Sequence, residues 1–150
     1  MLRGIDPRIS PELLYALAQM GHGDDLAIVD RNFPAAALAR HLPCKQVLQI
    51  GARLQGAVQL VTSLMPLDTF VPAAATTMQV VDNPELVPEP VAEIIPLIEK
   101  AGSDLQSVDR FGFYDLTRSS FAILQTIDTR PYGNVILKKG VLPVLAATAQ

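Results

Sequence analysis

The stretch Gln19-Met20-Gly21-His22-Gly23-Asp24-Asp25-Leu26-Ala27-Ile28-Val29-Asp30 decides the fold. Leu26 to Val29 is a short continuous apolar run, the pattern of a central strand buried on both faces of a parallel sheet. Gly21 ends the helix before it. His22 sits between two glycines, which lets backbone and ligand approach closely. Asp30 falls at the carboxyl end of the strand, where open α/β sheets place ligands. Read this way, the stretch brings an imidazole and a strand-end carboxylate toward one region. The bland alternative is a surface loop following a capped helix.

Upstream, Ser10-Pro11-Glu12 is a helix start: an N-cap serine, proline at the first helical position and an acid in the first turn. Leu13, Leu14, Leu17 and Met20 continue it at helical spacing. Downstream, Arg31-Asn32-Phe33-Pro34 is a turn, and Ala35 to Arg40 reads as a short helix or an ordered loop, the loop being preferred. Gln46 to Ile50 is a short strand. Arg53 to Met65 is the clearest amphipathic helix, with Leu54, Val58, Val61 and Met65 along one face. Ala74 to Val81 reads as a strand. Val91 to Ala101 reads as a helix that Pro96 kinks or begins. Leu105 to Asp109 is a strand, Tyr114 to Ser120 a short helix and Phe121 to Ile127 an apolar strand. A turn cluster from Asp128 to Asn134 leads into a last strand over Val135 to Leu137. Strands and helices alternate, so the expected fold is a three-layer α/β domain with a mainly parallel sheet. Residues 1–150 read as one domain, with an apolar tail over 143–150.

Composition narrows the function. The chain has 150 residues, 49% hydrophobic and 18% charged, with a net charge of −3. Such a chain can bury a core, and its low charge suggests apolar surface covered by other subunits. No basic stripe interleaved with aromatics points to nucleic acid. No run is long enough to span a membrane, and residues 1–10 lack a secretory pattern. Cys44 is the single cysteine, which suits a reducing compartment. A soluble cytoplasmic protein is expected.

Several chemical templates are absent: no GxxxxGK[ST] phosphate loop, no GxGxxG after a strand and no GxSxG elbow. His22, Asp24 and Asp30 could hold a metal in principle, but two histidines without paired spacing make a poor ligand set. His41, beside Leu42 and Pro43, reads as a surface or packing residue. The remaining polar groups on loops are His22, Asp30, Arg110, Tyr132 and Asn134. Histidine exchanges protons near neutral pH. Arginine, tyrosine and asparagine give directed hydrogen bonds to hydroxyls. The set contains no nucleophile–base pair, so proton shuttling on a small polyhydroxy ligand is favoured over covalent catalysis. Taken singly, each residue has an ordinary structural explanation: Arg110 as a surface ion-pair partner, Tyr132 as a packing ring, Asn134 as a turn residue.

Four blocks in register carry a resemblance. Met20-Gly21-His22-Gly23-Asp24 with Asp30 resembles the opening of the RbsD/FucU proteins. Arg110-Phe111-Gly112-Phe113-Tyr114, Tyr132-Gly133-Asn134 and Leu137-Lys138-Lys139-Gly140-Val141 resemble its closing half. The resemblance covers the chain to about Pro143. The arginine-aromatic block and the Tyr-Gly-Asn turn are more similar to the L-fucose mutarotase branch than to the D-ribose pyranase branch. The latter tends to carry histidine near the Arg110 position and alanine in place of Gly133.

The resemblance implies an α/β subunit assembled into a homo-oligomer, often a decamer, with sites at subunit contacts and no cofactor. It implies a mutarotase that interconverts the α and β anomers of a monosaccharide. His22 would be the proton donor and acceptor. Asp30 would hold either the imidazole tautomer or a sugar hydroxyl. Arg110, Tyr132, Gly133 and Asn134 would bind the remaining hydroxyls. Alternatives are another sugar such as D-ribose, a non-catalytic monosaccharide-binding module, and a metal-dependent hydrolase using His22, Asp24 and Asp30.

Overall fold

In the computed structural model, which describes residues 2–145, six strands form one sheet. They are β1 (Asp25–Val29), β2 (Val47–Gln49), β3 (Ala73–Met78), β4 (Asp104–Val108), β5 (Ala122–Gln125) and β6 (Val135–Lys138), in the order β2-β5-β1-β6-β3-β4. The pairs β2–β5, β5–β1 and β3–β4 are parallel. β6 runs antiparallel between β1 and β3, so it alone points against the other five. Leu26 to Val29 are fully buried in the centre of this mainly parallel sheet, as the apolar run predicts.

Alternate residues of β1 face opposite layers, because a strand has a side-chain period of two. Leu26 and Ile28 join a core with the helices α1 (Pro11–Gln19), α3 (Leu54–Thr62) and α4 (Glu89–Lys100). Ala27 and Val29 face a smaller core with α2 (Ala35–Ala39) and α5 (Arg110–Arg118), centred on the fully buried Phe113. These are the three expected layers. Ser10 caps α1, its hydroxyl accepting from the Leu13 N–H at 3.1 Å.

Three local expectations are corrected. Residues 35–39 are helical: alanine has the best intrinsic helix propensity, and Ala35 and Ala39 bury against the sheet. Helix α4 runs through Pro96 and starts at Glu89, with Pro90 in its first turn. Pro96 is exposed, so the missing N–H is lost from the solvent side. Helix α5 starts at Arg110, because the Asp109 carboxylate caps it, accepting from the Gly112 N–H at 2.8 Å. In the tail, Val141 to Leu145 are exposed, and residues 146–150 lie outside the described residues.

Candidate functional site

The candidate residues occupy two ends of the sheet. At the carboxyl end of β1, Asp30 is buried, 3% exposed. Its backbone N–H donates to Asn134 Oδ1 at 2.9 Å, and its Oδ1 accepts from the Asn32 N–H at 2.8 Å. Gly133 packs beside it. A Cβ at Gly133 would lie 3.5 Å from Asp30 Cβ, 3.4 Å from the Arg130 carbonyl oxygen and 3.6 Å from Pro90 Cβ. Burial pushes the Asp30 carboxyl above its ordinary range, opposed by hydrogen bonds from the Asn32 N–H and from Asn134.

Tyr132 stands in the left-handed region at φ 61°, uncommon for a bulky residue. Its phenol oxygen accepts from the Val81 N–H at 3.1 Å. Val81 in turn lines a cleft of about 290 Å³ together with Gln79, Asp82, Asp109, Arg110 and Phe111. That volume is near the lower end for small-ligand sites, about 300 Å³. Arg110, the first residue of α5, is exposed and its guanidinium carbon lies 5.2 Å from the Phe111 ring centroid. Asp30, Arg110, Tyr132, Gly133 and Asn134 therefore gather at the carboxyl edge of the parallel strands, as expected for an α/β sheet.

His22 is not with them. It precedes β1, and the five residues of β1 separate it from Asp30, about 16 Å of extended chain. Within one chain the strand therefore carries the imidazole and the strand-end carboxylate apart, and the expectation that the stretch brings them toward one region does not hold there. The His22 loop is closed locally. The Asp24 carboxylate accepts from the Gly21 N–H at 2.7 Å, Gly23 adopts φ 85°, and the Gly23 N–H donates to the Lys139 carbonyl at 2.9 Å. Lys139 Nζ donates to the Leu17 carbonyl at 2.8 Å, tying the loop to the end of α1. With Asp24 turned into its own loop and Asp30 at the other end of β1, the trio considered as metal ligands is dispersed.

The partner of His22 is Asp68, which the sequence reading missed. His22 Nε2 lies 3.1 Å from Asp68 Oδ1. Asp68 is buried, and its carboxyl is held below the ordinary range first by the Phe70 N–H and then by His22. An ionised carboxylate only accepts hydrogen bonds, so Nε2 carries the hydrogen and Nδ1 of the neutral ring keeps its lone pair. The Phe70 ring meets the imidazole edge-on at 5.3 Å and is 75% exposed. In the sequence, Pro66 and Asp68 after the Arg53–Met65 helix read simply as its stop. The two partners are 46 positions apart, so no local spacing marks the pair.

Neither His41 nor Cys44 joins a site. His41 is exposed after α2, and the half-buried Cys44 thiol donates to the Gln46 carbonyl at 3.6 Å.

Comparison with known proteins gives the family. The model of the RbsD / FucU transport protein family matches residues 3–142. A fucose mutarotase of Danio rerio is 39% identical over 154 residues, covering 95% of each chain. The crystal structure of a Streptococcus pneumoniae fucose mutarotase in complex with L-fucose superposes with a TM-score of 0.83 at 32% identity. The match covers 95% of this chain and 100% of that one. The structure of Bacillus subtilis RbsD complexed with D-ribose shares the fold, with a TM-score of 0.70 at 19% identity over 95% of this chain and 99% of that one. By its sequence and by its fold, the chain belongs to the RbsD/FucU family.

Proposed function

We propose that this enzyme is a monosaccharide mutarotase, with L-fucose or a sugar of the same hydroxyl stereochemistry as substrate, acting in the cytoplasm. One observation carries the reading: along one edge of the sheet Asp30 and Asn134 pair at the end of β1, and Tyr132 bonds to Val81, which lines a cleft with Arg110, while a carboxylate-oriented imidazole stands at the opposite end of β1. The first group suits recognition of several hydroxyls. The second suits proton exchange.

Mutarotation needs little else. A proton leaves the anomeric hydroxyl, the bond from C1 to the ring oxygen breaks, C1–O1 becomes a carbonyl, and the ring oxygen takes up a proton. Rotation about C1–C2 and the reverse steps close the ring on the other face. Proton transfer by a placed side chain contributes about 10²–10⁴-fold. Nδ1 of His22 is the nitrogen left for it when Asp68 holds Nε2–H. Asp68 thereby takes the tautomer-holding role first allowed for Asp30, and Asp30 is left to hold a sugar hydroxyl.

No single pyranose ring spans the length of β1, so one sugar meets His22 and Asp30 only if two chains contribute. We therefore infer a homo-oligomer in which His22 and Asp68 of one copy complete the cleft of another, in line with the decamers that the resemblance implies. Exposed apolar side chains rim both halves: Phe70 at 75% beside His22, and Phe111 at 67% with Val81 at 49% beside Arg110. Apolar rims of this kind mark surfaces that other chains cover. The test is magnetisation transfer between anomeric proton signals over a panel of sugars that includes L-fucose and D-ribose. Enzyme-dependent exchange, fastest for L-fucose, is expected. Binding without exchange would leave a sugar-binding module instead.

A further inference from the structure

We propose that Arg130 is a positioning residue for the sugar-binding turn, clamping Tyr132, Gly133 and Asn134 onto Asp30 through ion pairs with Asp128 and Glu93. The proposal rests on the mutarotase reading only for its kinetic consequence. Its structural content stands on the following contacts.

The Arg130 side chain is 21% exposed, and its planar fork is used on two sides. Nε and one terminal nitrogen donate to the two Asp128 oxygens at 2.9 and 2.8 Å. The terminal pair donates to the two Glu93 oxygens at 2.8 and 3.0 Å. Glu93 lies on α4, whose first turn also brings Pro90 against Gly133. Asp128 is buried, 1% exposed, and does three further things. Its Oδ2 accepts from the Leu54 N–H at 3.2 Å at the start of α3, its Oδ1 accepts from the Arg130 N–H at 3.1 Å, and its carbonyl accepts from the Arg31 N–H at 2.9 Å, the residue after Asp30. The guanidinium thus joins α4, the start of α3 and the backbone beside Asp30 at one point, two residues before Tyr132.

Tyr132 needs such a clamp. A bulky residue persists at φ 61° only where its surroundings hold it there. Doubly bidentate pairing fixes orientation as well as distance, which lysine cannot reproduce. With Arg130 released, the turn is free to relax toward ordinary backbone angles, taking the phenol from Val81 and the Asn134 amide from Asp30. The sugar's hydroxyl contacts would loosen while His22 and Asp68, at the far end of β1, stay as they are. That separation predicts a defect in binding rather than in turnover.

The experiment uses the full chain carrying 3-fluorotyrosine, with the Tyr132 fluorine resonance assigned from Tyr132→Phe. In Arg130→Met the Tyr132 resonance should shift or broaden while those of Tyr15 and Tyr114 hold. In anomer exchange KM for the preferred sugar should rise about tenfold, the loss expected for one misplaced hydrogen bond, with kcat within about threefold. Glu93→Gln should move both readouts in the same direction by less, and it keeps the test valid if Arg130→Met fails to fold. Arg130→Lys should recover part of the loss. A fall in melting temperature with the Tyr132 resonance and KM unchanged would overturn the proposal, since a merely structural residue behaves that way. If the wild-type chain exchanges no sugar, the mutarotase reading fails, and the fluorine spectra, which need no substrate, decide the positioning role alone.

Discussion

In the proposed mechanism the proton chemistry turns on the pair His22 and Asp68. His22→Ala should abolish most anomer exchange while the assembly persists, read by magnetisation transfer and light scattering. Asp68→Asn presents an amide that can flip and so no longer dictates which ring nitrogen carries the proton. Its exchange rate should fall with the KM little changed, about 10²-fold if the proton-transfer contribution is lost. Asp30→Asn differs in kind: it changes a buried hydrogen-bond acceptor assigned here to sugar binding, so KM should rise. A KM effect for Asp68→Asn, or a pure rate effect for Asp30→Asn, would reverse these two roles. For Arg110→Lys, loss of a planar charged donor to a hydroxyl costs about 1.5–3 kcal/mol. The discrimination between L-fucose and D-ribose should shrink accordingly, and equal discrimination in the variant would remove Arg110 from substrate choice.

Helix α3 and the turn before β6 are joined by a side chain remote from both in sequence order. The N-cap of α3, Arg53, makes no side-chain cap bond, and Asp128 supplies it from 74 residues away. The Arg130 guanidinium holds the Asp128 carboxyl at about 2, against an ordinary value of 3.8. A carboxyl held low in the folded state stabilises above the unfolded value, and that stabilisation disappears as pH falls from 3.8 toward 2. The shift corresponds to about 2 kcal/mol. The stability difference between wild type and Asp128→Asn, from denaturant unfolding, should therefore be full at neutral pH and shrink by about that amount in this acid window. A difference that stays constant down to the acid limit would mean that the pairing does not contribute. The end of β6 makes a separate demand. A Cβ at Gly140 would overlap the Leu67 carbonyl, where the Gly140 N–H donates to the Pro66 carbonyl at 2.8 Å. Gly140→Ala should cost about 1–3 kcal/mol, the usual range for forced overpacking.

For the whole molecule, the proposed site joins His22 of one copy to Asp30 of another, and on that proposal activity is expected to require assembly. His22→Ala and Asp30→Asn chains should each exchange anomers poorly. When the two are unfolded together and refolded in equal amounts, about a quarter of the shared sites should combine an intact His22 with an intact Asp30. Activity should then reappear in the mixture. No recovery, with mixed oligomers demonstrated by mass, would place both residues in one chain's site and contradict the fold described above. Light scattering should find a homo-oligomer larger than a dimer, because both rims carry exposed apolar side chains. A monomer at micromolar concentration would overturn the proposed shared site.

Local chemistry was legible from the sequence alone. Serine and proline before Leu13 marked the start of α1. The Leu26–Val29 run marked a central strand. The spacing of Leu54, Val58 and Val61 marked α3. The four blocks in register identified the family. These depend on neighbours within a few positions, where propensity and periodicity act. Asp109, an N-cap residue type directly before Arg110, is the local signal for the start of α5. Tertiary structure decided the rest. β6 inserts antiparallel between β1 and β3 because its apolar residues fill both faces of the sheet at once, a condition set by residues far apart in the chain. That insertion carries Asn134 to Asp30 at one end and Lys139 to the His22 loop at the other. It also sets Asp68 beside His22, its N–H bonded to the Lys138 carbonyl at 3.0 Å. The sequence places His22 and Asp30 eight positions apart, and an extended strand turns that nearness into distance, because each residue of a strand adds about 3.3 Å where a helix would add only about 1.5 Å.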